Sequence, residues 1–163
     1  MPPNQQYELS EVTEIFIDYN HNDGELKEAS IEKRGINDTF TYALKLQIEK
    51  NGQHIKKKRN ISATEFVALR AHKKEGMSEL NSQRIYLQED DVNIIIDYYP
   101  DVEDQPVLAV FLVNSELLTS ENDAVRRSVK LPDYLKIDRE VTNVLDYMSM
   151  GLAARIKKAE NTV

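Results

Sequence analysis

Residues 40–48 read Phe40-Thr41-Tyr42-Ala43-Leu44-Lys45-Leu46-Gln47-Ile48, with an apolar side chain at every even position. A period of two is the signature of a β-strand with one apolar and one polar face. Phe40, Tyr42, Leu44, Leu46 and Ile48 are therefore expected to face a helix layer, and Ala43, Lys45 and Gln47 the opposite side. Immediately after this stretch comes Asn51-Gly52, a strong hairpin signal because a type I′ turn needs φ > 0 at both central residues. Working outward, residues 7–17, 26–34, 54–61, 83–88, 92–99 and 106–114 also read as strands, short, β-branched or aromatic, and bounded by turn residues. Successive strands joined by short turns imply an antiparallel meander, which closes into a barrel or is covered to protect its edges.

Two helices interrupt the strands. Ser62-Ala63-Thr64-Glu65 is a capping box, in which Ser62 accepts from the backbone N–H of Glu65 and the Glu65 side chain reaches back. Phe66 and Leu69 follow as an apolar stripe, with Gly76 as the expected stop. Residues 142–158 space Leu145, Met148, Leu152 and Ile156 as a helix, with Lys157 and Lys158 at the negative end of its dipole. The expected class is α+β, mainly antiparallel β, as one domain over residues 7–158 with flexible termini at 1–6 and 159–163.

Charge and composition narrow the function. The 163 residues carry 21 Lys and Arg against 28 Asp and Glu, a net charge of −7, which disfavours general DNA binding. Cysteine is absent, excluding disulfides, thiolate nucleophiles and Cys-based zinc sites, and a cytoplasmic setting, alone or in a cytosolic or cytoskeletal assembly, is the expectation. The opening carries no apolar segment and its first arginine is Arg34, so no secretory or mitochondrial leader is read. The longest apolar run, 106–113, is too short to span a bilayer. Acidic residues crowd the span 8–28, seven against Lys27, while six basic residues against Glu49 occupy 45–59. A sheet pairing these segments would neutralise part of each.

Motifs for familiar chemistry are lacking. His21, His54 and His72 have no HExxH spacing, and there is no GxSxG, Walker loop or GxGxxG. Asp18-Tyr19-Asn20-His21-Asn22-Asp23-Gly24 places its glycine at the seventh position rather than the sixth of a calcium loop, and reads as a polar turn. Any site must then be built from charges on a sheet. Strand alternation suggests a basic face of Lys45, Arg59 and Arg84 that would attract an anion; the facing of Lys57 and Arg59 stays open at this point.

The series Glu28-Ala29-Ser30-Ile31-Glu32-Lys33-Arg34-Gly35, Tyr42-Ala43-Leu44-Lys45-Leu46-Gln47, Arg59-Asn60-Ile61-Ser62-Ala63-Thr64-Glu65-Phe66, Arg84-Ile85-Tyr86, Ile96-Asp97-Tyr98-Tyr99 and Leu131-Pro132…Arg139-Glu140-Val141-Thr142 resembles, in order and spacing, the CYTH or triphosphate tunnel metalloenzyme family. It is most similar to the branch in which this domain follows a nucleotide-kinase-like one. The resemblance implies a closed or nearly closed eight-stranded tunnel-like barrel with flanking helices and a C-terminal helix. It also implies lining cations that bind a triphosphate and acidic residues that hold Mg²⁺ or Mn²⁺.

Mapped onto that pattern, the machinery is depleted. The acidic ExExK opening has only Glu11 and Glu14, loosely spaced. The basic triplet is Ser30, Glu32 and Arg34. Gln47 and Ser82 stand where lysines are usual, the late acidic pair is Leu112 and Asn114, and the acidic position before Asp97 is Ile95. Mg²⁺ needs hard oxygen ligands, and phosphoryl transfer depends almost wholly on positioning and charge stabilisation. The expectation is thus a non-enzymatic barrel, packed inside by residues such as Ile95 and Leu112, that serves as a structural or interaction subunit among other protein subunits. The first alternative is a non-hydrolysing binder of polyphosphate, nucleotide or a phosphoinositide headgroup through Lys45, Arg59, Arg84, Arg34 and Lys57. The second is a hydrolase with Mg²⁺ or Mn²⁺ on Asp97 and Glu32; otherwise no cofactor is expected.

Overall fold

A computed structural model of the chain describes residues 7–89, 92–102, 107–112 and 148–160. The strands are β1 (Tyr7–Phe16), β2 (Glu25–Ile36), β3 (Thr39–Lys50), β4 (Gln53–Asn60), β5 (Leu80–Glu89), β6 (Val92–Tyr98) and β7 (Val107–Leu112). Helix α1 (Ala63–Arg70) joins β4 to β5, and helix α2 (Ser149–Glu160) lies C-terminal. All seven strands form one curled antiparallel sheet in the order β4-β3-β2-β1-β5-β6-β7. Among the described residues β4 and β7 are its two edges and do not pair with each other; closure by an eighth strand, like Asn114 and the segment 113–147, lies outside them. No helix among the described residues is long and apolar enough to cross a membrane.

Two-residue turns set the register of the first half. Asn51 and Gly52 take φ values of 53° and 74°, as the type I′ turn requires, and pin Lys50 opposite Gln53. Asn37 and Asp38, at 46° and 61°, do the same between β2 and β3, where Ile36 faces Thr39. Asn and Asp tolerate this left-handed region better than most residues, and Gly35 lies inside β2, opposite Phe40. Its lack of a side chain makes room for Phe40, whose ring would lie 2.8 Å from an added Cβ. At Gly24, φ is +100° and a Cβ would stand 2.8 Å from the Glu49 carbonyl oxygen, so glycine is required twice over.

The alternation in β3 sorts its central residues as expected, whereas Phe40, 47 % exposed, lies outside the core with the Lys33 ammonium over its ring. Leu44, Leu46 and Ile48 join Ile15, Ala29, Ile31 and Phe66 in one buried cluster, each large side chain contributing roughly 2 kcal/mol. Helix α1 covers this face, with Phe66 packed on Tyr42 at 5.1 Å between ring centroids. Ser62 caps the helix, its hydroxyl accepting from Glu65 N–H at 3.1 Å. The Glu65 carboxylate does not return to the cap, however, but accepts two bonds from Arg59 at 2.6 and 3.2 Å. The helix stops at Arg70 with Ala71 as its cap, well before Gly76. Lys74 N–H then donates to Phe16 C=O and Asp18 N–H to His72 C=O, tying the chain to the end of β1.

A second apolar cluster forms on the other side of the sheet. Phe16, opposite Ser30, and Leu80, opposite Glu14, share the face that carries the charged rows. There they pack with Tyr99, Val102 and, from α2, Leu152, Ala153 and Ile156. Helix α2 therefore closes one end of the charged face. It runs to Glu160, so residues 159 and 160, expected in a flexible tail, are helical; Leu145 and the expected start at 142 lie outside the described residues.

Candidate functional site: a self-paired charged face

The register decides which charges meet. In β3, Lys45 sits between Leu44 and Leu46 and so faces away from the helix-covered core. Opposite it are Ser30 on β2 and Lys58 on β4. One pair along, Glu32 of β2 faces Glu14 of β1. These carboxylates, only 5 % and 8 % exposed, would repel each other if nothing stood between them. The Lys45 ammonium does: its Nζ contacts Glu14 Oε1 and donates to Glu32 Oε2 at 3.1 Å. Ser30 Oγ donates to Glu14 Oε1 at 2.7 Å. Lys58 Nζ donates to Glu32 Oε1 at 3.0 Å, and an Arg34 terminal nitrogen lies 3.8 Å from the same oxygen.

The electrostatics follow from this geometry. Burial alone would push Glu32 upward, but Lys45 and Lys58 outweigh it and hold the carboxyl at about 2. For Lys45, burial opposes the charge, yet Glu14 and Glu32 raise its pKa above the ordinary lysine value. Glu28, next along β2, is pushed up by burial and by the charge of Glu14, although Gln47 Nε2 donates to it at 2.9 Å. Further along, Arg84 holds Asp97 in a two-point pair, Nε to Oδ1 at 2.6 Å and a terminal nitrogen to Oδ2 at 2.7 Å. This fork-to-fork geometry is the strongest form of such a pair. Tyr99 beside it is raised by burial and by Asp97.

The anticipated basic face is only partly assembled. Lys45, Arg34 and Arg84 share it, but Arg59 stands opposite Leu44 and Lys57 opposite Leu46, in rows belonging to the apolar side. Arg59 is committed to Glu65 and Lys57 to Asp23, 3.3 Å away. Asp23 also takes Lys50, so the polar turn and the basic span neutralise each other. The cations that β4 does give the charged face are Lys58 and Lys56, the latter opposite Gln47. Sequence reasoning missed both, although counting back from the Asn51-Gly52 turn finds them.

The candidate metal ligands are each occupied, Glu32 by lysines and Asp97 by Arg84. Among the described residues no group of three or more His, Asp or Glu side chains is arranged to hold a metal. Ile95, opposite Tyr86, lies two residues before Asp97. Leu112 pairs with Val92, whereas Asp97 meets β7 at Val107. A cavity of about 630 Å³ is lined by Tyr19, Leu26, Glu28, His72 and Met150 among others, and one of about 430 Å³ lies near Ser78 and Glu160; neither is lined by Lys45, Glu14 or Glu32. That cluster is filled by its own ion pairs.

The class defined by this architecture is a curled, mainly antiparallel sheet flanked by two helices, with one face apolar and the other charged. No family model matches the sequence, and no curated protein matches it. A solved structure titled "The crystal structure of the hypothetical protein NE1496" is similar in fold, with a TM-score of 0.55 and 17 % identity over 94 % of this chain and 91 % of that one.

Proposed function

We propose that this chain is a CYTH-like tunnel-fold module without catalytic activity, acting as a structural or interaction subunit of a larger protein assembly. The observation that carries the reading is the internal neutralisation of the charged face. Lys45 bridges Glu14 and Glu32, Lys58 adds to Glu32, and Arg84 engages both oxygens of Asp97. A divalent ion would have to break these pairs to find oxygen ligands, and metal-assisted phosphoryl transfer without ligands loses its main source of charge stabilisation. The purified protein is expected to release no phosphate from tripolyphosphate or ATP with Mg²⁺ or Mn²⁺ above the protein-free rate. Robust turnover abolished by Asp97→Ala would overturn the reading. So would endogenous protein that elutes at the mass of the lone chain.

A second reading, a non-hydrolysing binder of an oligophosphate, nucleotide or phosphoinositide headgroup, is favoured by Arg34, whose buried Nε has no hydrogen-bond partner. Here the two faces of β4 provide the test. Lys58→Glu is expected to weaken tripolyphosphate binding by roughly tenfold at low salt and less at high salt, whereas Lys57→Glu leaves it near wild type. Calorimetry across a salt series measures both; equal losses would show that the charged face is not the binding surface.

A further inference from the structure

Three strands direct cations at one carboxylate. Lys45 from β3 and Lys58 from β4 each donate to Glu32, and Arg34 approaches from its own strand β2. We infer that the Glu32 carboxylate is the internal occupant of an anion seat on the charged face, an autoinhibitory competitor for a phosphoryl group. The inference rests on the binding reading of that face and adds how it is restrained.

The seat is larger than its occupant. At 3.8 Å the Arg34 contact with Glu32 exceeds hydrogen-bond length, and Arg34 Nε is buried without an acceptor. A guanidinium presents five donors in a planar fork, so a buried unused one is a cost that an added acceptor would relieve. Glu32 is fixed to β2 and offers two oxygens, already engaged by Lys45 and Lys58. A tetrahedral phosphoryl group offers more and is free to sit where all three cations reach it. Lys58, with its side chain 52 % exposed, leaves the seat approachable from solvent. Glu14 lies on the far side of Lys45 and limits how deep an anion can go. Because its carboxyl is held at about 2, Glu32 remains charged at neutral pH and occupies the seat throughout.

The test uses the full chain. By titration calorimetry, Glu32→Gln is expected to bind inorganic tripolyphosphate roughly tenfold or more tightly than wild type, the gain shrinking with salt and disappearing when Lys58→Gln is added. Phosphatidylcholine vesicles doped with phosphatidylinositol bisphosphate, run in parallel, separate a lipid headgroup from a free oligophosphate; tighter binding of either by the variant supports the seat. If Glu32→Gln folds poorly, Glu32→Thr, neutral and strand-forming, repeats the comparison by thermal shift, with tripolyphosphate expected to raise its Tm more than that of wild type. A folded neutral variant that gains nothing with either ligand overturns the inference and leaves the non-catalytic reading standing. Hydrolysis by wild type does the reverse.

Discussion

Replacing Lys45 by Met is expected to cost about 3 kcal/mol at neutral pH, lowering Tm by roughly 6–12 °C for a domain of this size. The methionine fills much of the same volume but leaves two buried carboxylates, Glu14 and Glu32, facing each other across β1 and β2 with their shared ammonium gone. Breaking a buried pair from one side is costly because the remaining charge is stranded. Glu14→Gln added to Lys45→Met removes one of the two stranded charges and is expected to recover part of the loss. The pH dependence has a definite sign. In wild type, Glu32 is depressed from 4.5 to about 2, so its contribution is fully present above 4.5 and is lost as the pH falls through 2. In the variant Glu32 lacks the part of that depression that Lys45 supplies, so the stability gap between the two proteins narrows over that window. Chemical denaturation at several pH values measures it. A gap that stays constant from neutral to acid, or no gap at all, would remove Lys45 from the centre of the charged face.

The second large effect belongs to the other side of the cluster. Leu152 of α2 is fully buried among Phe16, Leu80, Tyr99 and Ile156. Leu152→Ala is expected to cost about 3 kcal/mol through lost transfer energy and the cavity left behind. Because α2 meets the sheet chiefly through this apolar patch, with Ser78 N–H donating to Ala153 C=O as a further tie, the loss falls locally. Amide exchange in residues 149–160 is expected to accelerate while the β2–β3 core, held by a separate cluster, stays protected. Equal acceleration in both regions would mean that helix and sheet unfold as one unit. Phe16 and Leu80 lie on the charged face, so the undocked helix would also uncover one end of that surface.

Much of the fold was legible because the relevant signals are local. The β3 alternation, the Asn-Gly turn and the Ser62 cap each act over a few residues, and each appears where the sequence places it. The site was harder to read, and the residues show why. In β4, Lys56-Lys57-Lys58-Arg59 contains no polar contrast, so alternation cannot say which cations share the face of Lys45. Only the register from the turn separates Lys56 and Lys58 from Lys57 and Arg59. Glu65 illustrates the same limit: a capping box describes what its carboxylate can do locally, and the nearby guanidinium of Arg59 offers a stronger, charged partner.

The sequence by itself determined the strands, the turn that joins β3 to β4, the apolar side of the sheet and the helix that caps it, since period and turn chemistry are properties of neighbouring residues. Tertiary structure alone decided that Glu14, Glu32, Lys45, Lys58 and Arg34 gather in one place and that Arg84 clasps Asp97. β2, β3 and β4 follow one another along the chain, as do β5 and β6, but strand order does not say which side chains bond across it, and β1 reaches β2 through a connection too long to dictate pairing. Which charges become neighbours depends on sheet register, and their proximity then sets whether the same side chains attract a ligand or satisfy one another.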